Sequence, residues 1–77
     1  MFLDVPVVNQ KTDKTESYLI NTANINYLRR WTDEKTGHLQ TVVYFTSSQK
    51  YLVVDMERDT LAGMIVAKTA KLSAPQS

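Results

Sequence analysis

Residues 41–54, TVVYFTSSQKYLVV, constrain this chain more than any other stretch. Two runs of β-branched and aromatic residues, 41–46 and 51–54, flank the polar break Ser47-Ser48-Gln49-Lys50. Such runs around such a break predict a β-hairpin. In its first strand Val42, Val43, Tyr44 and Phe45 leave neither face polar. A strand apolar on both sides must be covered on both, by a helix, by the curl of its own sheet or by another subunit. With 77 residues there is material for one domain, which buries only roughly 60–65% of the surface its unfolded chain exposes.

The rest of the pattern builds outward from that hairpin. Phe2–Val8 reads as a strand in which Val5 and Val7 share a face and Phe2 lies off it. Pro6 has no N–H to donate, which makes the strand an edge or restricts pairing on one side. Residues 9–15 are polar and read as an exposed turn, with Asn9 or Asp13 to take any left-handed position. Residues 16–21 form a second strand, and Asn21 or Thr22 can cap a single helical turn after it. Residues 26–31 are a third strand: Tyr27, Arg29 and Trp31 on one face, Leu28 on the other, the side of the core that Ile25 anchors. Residues 32–40 have loop composition, with Gly37 suited to a positive φ.

After Val54 the period changes. Leu61, Met64, Ile65 and Lys68 follow helical spacing, so residues 55–68 read as a helix with Asp55 as N-cap and acidic residues at its start. Residues 72–77 read as a flexible tail and residues 1–71 as one small β-rich domain. The expected fold is α+β: a small, curled, mainly antiparallel five-stranded sheet, barrel-like, with one C-terminal helix.

Chemistry-bearing patterns are few. Cysteine is absent and His38 is the only histidine, so neither thiolate nor histidine-cluster metal sites can be written. No spacing links His38 to Ser47 or Ser48 as a nucleophile pair. Asp55, Glu57 and Asp59 fail the calcium-loop pattern, which would need glycine where Thr60 stands and glutamate where Val66 stands. Two glycines, at 37 and 63, cannot make a phosphate loop. We therefore expect no catalytic residues, no metal, no cofactor and no enzymatic activity. Apolar runs are too short for a membrane span, the N-terminus is unlike a signal peptide, and the lack of cysteine fits a cytoplasmic protein.

Two binding surfaces suggest themselves. Surplus apolar side chains, above all Tyr44, Phe45 and Tyr51, predict an interface with a protein partner or a second copy, as in a homo-oligomer. The alternative is nucleic acid. Tyr27, Arg29, Arg30, Trp31, Lys35 and Lys50 could offer guanidinium groups to phosphates and rings to bases. Against that, Asp33 and Glu34 share the same loop and the net charge is only +1.

Residues 17–26 (SYLINTANIN), 41–45 (TVVYF), 50–55 (KYLVVD) and a short helix ending at 61–65 resemble the FlbD family of small flagellar and swarming-motility proteins. The same run is similar to the front half of LytTR-type DNA-binding domains, whose arginine-histidine-arginine-serine segment has no counterpart in residues 1–77. The turn at 47–50 lacks the glycine of the FlbD pattern, and residues 32–40 look like an insertion. The resemblance implies a small bacterial or phage regulatory or accessory protein and assigns no residue a role.

Overall fold

A computed structural model describes the backbone of residues 2–73 and the side chains of residues 2–68. Five strands form one antiparallel sheet, followed by one helix: β1 (Phe2–Val8), β2 (Thr15–Asn21), a single 3₁₀ turn (Thr22–Asn24), β3 (Ile25–Thr32), β4 (Leu39–Phe45), β5 (Tyr51–Val54) and α1 (Arg58–Ser73). The spatial order is β2-β1-β5-β4-β3, so the sheet is open, with β2 and β3 at its edges. This is the expected α+β class, curled but not closed. No described helix is long and apolar enough to cross a membrane.

Local chemistry sets the turns. Asp13 takes the left-handed conformation, φ 58°, that lets the β1–β2 connection reverse, and the Asn9 side chain accepts from the Lys11 N–H. Gly37 does the same, φ 74°, in the β3–β4 loop. The Asn21 side chain caps the 3₁₀ turn by accepting from the Ala23 N–H. The β3–β4 loop is shorter than its composition suggested, because Thr32, Leu39 and Gln40 are in strands.

Pro6 shapes the seam between the two halves of the sheet. β1 is an interior strand, not an edge, and pairs with β2 along all seven residues. With β5 it shares only the Val7–Val54 pair, reinforced by the Asp55 N–H donating to the Pro6 carbonyl. Because a strand residue's N–H and C=O point the same way, the missing donor of Pro6 falls on the β5 side. The sheet is thus a β1–β2 hairpin joined narrowly to a β3–β4–β5 meander.

Period-two alternation divides the side chains between two faces. Leu3, Val5, Val7, Ile20, Val43 and Val54 turn to one face and close around Leu61 of α1, all buried. Leu28, Phe45, Leu52, Met64 and Ile65 pack at the margin of this core. α1 lies across β3 and β4. The segment before it is tied down at three points. Gln40 Nε2 donates to Asp55 Oδ1, Thr41 Oγ1 donates to the Met56 carbonyl, and the Asp55 N–H is held by Pro6.

The helix begins three residues later than its acidic start suggested, and Asp55 is not its cap. Glu57 is: its carboxylate accepts from the N–H groups of Asp59 and Thr60. At the other end α1 continues through Ser73, two residues into the expected tail; residues 74–77 of that tail lie outside the described residues.

Leu61 is fully buried at the centre of the core, so Leu61→Ala should cost about 2–5 kcal/mol. Val66→Ala, on the exposed side of the same helix, should change stability by no more than about 0.5 kcal/mol in urea unfolding. The backbone N–H of Asp59 above all, helped by that of Thr60 and by the charges of Arg30 and Arg58, holds the Glu57 pKa below its ordinary 4.5 against desolvation, which outweighs each of the lesser contributions. A depressed carboxyl pKa stabilises the fold above the ordinary value, and that contribution is lost as pH falls through the folded-state value. Glu57→Ala should therefore melt below wild type at neutral pH, and the gap should narrow as the pH drops below 4.5.

Candidate functional site: the concave face of the sheet

The face turned away from α1 carries a different set of residues. Tyr27, Tyr44 and Tyr51 are directly opposed across β3, β4 and β5, and Arg29, Val42 and Val53 form the next row. Trp31 is opposed by Gln40 in the row after that. Directly opposed residues share a face and touch. The rings of Tyr27 and Tyr44 stack at 4.4 Å and 19°, and Tyr51 tilts against Tyr44 at 5.9 Å. The Arg29 guanidinium lies 5.8 Å from the Trp31 ring centre and 5.9 Å from that of Tyr44. Desolvated cation–ring contacts of this kind are worth up to about 2 kcal/mol, and exposed ones about 0.5–1.

This face is concave. The β1–β2 turn and the β3–β4 loop leave opposite ends of the strands at diagonal corners of the sheet, yet Lys35 Nζ stands 3.5 Å from Asp13 Oδ2. Right-handed twist accumulated over β1, β5, β4 and β3 brings the corners together. The curl buries Val42 and Val53, 3% and 5% exposed, although among the described residues no helix covers them. Tyr27, Trp31 and Tyr51 remain 51%, 41% and 54% exposed.

Two adjoining hollows run along the concavity. One, of about 170 Å³, is lined by Arg29, Trp31, Val42, Tyr44, Tyr51 and Val53 with Gln10 at its margin. The other, of about 310 Å³, lies under the bridging loops and is lined by Val8, Asp13, Asp33, Glu34, Lys35 and Gln40. Trp31 and Gln10 belong to both, so the two are one groove, apolar and aromatic at one end and acidic at the other. Over its whole length two cations meet three carboxylates, and the Lys35 charge is engaged by Asp13.

The residues singled out from the sequence are therefore split. Tyr27, Arg29, Trp31, Tyr44 and Tyr51 come together on the concave face, and Lys35 borders it. Arg30 does not join them: next to Arg29 in a strand, it points to the helix face, where it lies 3.5 Å from Asp59. Phe45, next to Tyr44, likewise packs against the core under α1. Lys50 is in the β4–β5 turn, its N–H bonded to Ser48 Oγ. His38 is exposed in the β3–β4 loop, its N–H bonded to Thr36 Oγ1. Asp55, Glu57 and Asp59, which sequence proximity groups, take separate partners: Gln40, the helix N-terminus, and the two guanidinium groups of Arg30 and Arg58.

Sequence reasoning missed the floor, Val42 and Val53, and the far walls, Gln10, Asp13 and Gln40. Gln40 carried a signal in principle: a polar residue beside the start of an apolar strand is buried here, 6% exposed, because Asp55 satisfies its amide. No known protein family, curated protein or solved structure matches the chain.

The Lys35–Asp13 pair is exposed on both sides, 80% and 72%, so it sets loop position more than stability. Lys35→Ala should lower unfolding free energy by less than about 1 kcal/mol. The same variant should shift the emission of Trp31, the single tryptophan, because the loop above it loses its anchor.

Proposed function

We propose that this chain is a non-enzymatic accessory or regulatory protein that binds a protein partner through the concave face of its sheet. The observation that carries the reading is the set of half-exposed rings on one face, Trp31 and Tyr51 around a floor formed by Val42 and Val53 and Tyr27 stacked beside them on Tyr44. Exposed aromatic side chains around a desolvated apolar floor are the composition of an interface centre. The resemblance of residues 17–65 to the small FlbD proteins points toward the same accessory role.

The groove's charge weighs against the nucleic-acid alternative. Sites for single strands combine stacking rings with a positive track for the backbone. Here Asp13, Asp33 and Glu34 line the groove beside Arg29 and Lys35, while Arg30 faces the other way and Lys50 lies off in a turn. A phosphate backbone along this groove would meet more negative than positive charge.

Exchange of Tyr27 and Tyr51 for serine leaves the core untouched, since both rings are half exposed. Affinity isolation of the tagged protein from its native cells should yield a bound polypeptide with the wild type and lose it with the Tyr27→Ser/Tyr51→Ser double variant. Nuclease treatment of the lysate should make no difference. Capture that depends on intact nucleic acid, or that survives the double substitution, would reverse the reading.

A further inference from the structure

The groove has a shape and a charge gradient that narrow the partner's chemistry. We infer that it takes an extended peptide segment of a protein partner, carrying an apolar side chain and, two residues away, a lysine or arginine. This deepens the interface reading and rests on it.

Shape comes first. A concave surface is not self-complementary under a twofold axis, because two hollows facing each other leave a void. Area agrees. An aromatic side chain presents about 150–250 Å². Within the groove itself the half-exposed rings are Trp31 and Tyr51, which offer on the order of 200 Å², the scale of a short segment and well under the roughly 800 Å² that each side of a stable protein pair buries. A narrow strand-like segment fits both limits, and a second folded copy face to face fits neither.

Charge then sets the sequence of the segment. The hollow of about 170 Å³ over Val42 and Val53 is walled by Trp31, Tyr44 and Tyr51, which suits one aliphatic or aromatic side chain. Arg29 lines the same hollow, its guanidinium against the Trp31 and Tyr44 rings. The adjoining hollow presents Asp33 and Glu34; Asp13 pairs with the Lys35 ammonium and Asp33 Oδ1 accepts from the Lys35 backbone N–H, so Glu34, exposed and bonded to neither, offers the readiest charge to an incoming cation. One ring, Trp31, separates the two hollows. Along an extended segment, residues two apart are about 6.6 Å from each other and project to the same side. An apolar residue in the first hollow thus places its second neighbour over the second, where a cation is favoured.

Trp31 supplies an intrinsic reporter, since it is the only tryptophan and lines both hollows. The probes are end-blocked heptapeptides of serine with leucine at the fourth position and lysine at the sixth. In control peptides glutamate replaces the lysine, or serine the leucine. Titration followed by Trp31 emission should show the leucine–lysine peptide binding about tenfold more tightly than either control. Asp33→Asn/Glu34→Gln should abolish the preference for lysine over glutamate while leaving the preference for leucine. The single exchange Glu34→Gln, at an exposed position, should reduce the lysine preference without altering the fold seen by circular dichroism.

Equal affinity for the lysine and glutamate peptides would overturn the inference. So would tighter binding of a thymidine oligonucleotide than of the peptide, or a sedimentation pattern showing dimers that Tyr51→Ser dissolves. If the lysine preference is absent but the tyrosine double variant still loses its captured partner, the peptide chemistry fails and the interface reading stands. If the double variant keeps that partner, both fall.

Discussion

A single helix can cover only one face of a five-stranded sheet, and everything distinctive in this molecule follows from how the other face is handled. α1 seats Leu61 among Leu3, Val5, Val7, Ile20, Val43 and Val54 and closes that side. The central strands β4 and β5 are apolar on the far side as well. In so small a domain that exposed surface is a large fraction of the whole, and leaving it flat would forfeit burial the fold needs. The sheet curls instead, and Val42 and Val53 go from solvent to nearly complete burial without a second layer.

The curl depends on a weak seam. Pro6 withholds one hydrogen bond where β1 meets β5, and β5 is only four residues long, so the β1–β2 hairpin is joined to the meander through a single residue pair. A narrow joint leaves the hairpin freer to coil over the concave face than a full ladder would. The β5–α1 connection compensates on the other side. Gln40, Thr41 and Pro6 hold residues 55 and 56, so the helix starts from a fixed point although the sheet is thinly stitched there. One proline thus links a local backbone deficit to the shape of the groove.

Much of this was legible in the sequence because it is local. Alternation marked every strand to within a residue or two, and Asp13, Gly37 and Asn21 announced their turns through their own backbone preferences. The same alternation places Tyr27, Arg29 and Trp31 together, and it also sends Arg30 and Phe45 to the opposite face. Grouping Arg29 with Arg30, or Tyr44 with Phe45, followed closeness in the chain where a strand's period of two separates neighbours. Glu57 displaced Asp55 as helix cap for a tertiary reason: Asp55 is drawn to Gln40, fifteen residues earlier, and its N–H to Pro6. The meeting of Asp13 with Lys35 had no local signal at all, since it arises from twist summed over several strands.

That summed twist also changes what the residues around Trp31 can do. On a flat sheet, Arg29 and Lys35 beside three aromatic rings would resemble a platform for stacked bases. The curl brings Asp13 from the far corner to Lys35, and with Asp33 and Glu34 it turns one end of the platform acidic. The rings remain, but their electrostatic setting is reversed over half the groove. A surface with an aromatic apolar end and an acidic end discriminates by charge order along an extended ligand, not by net charge alone. The hairpin at 41–54 that is apolar on both faces is thereby used twice. Val43 and Val54 hold the helix, and Val42 and Val53, one residue out of register, form the floor of the groove.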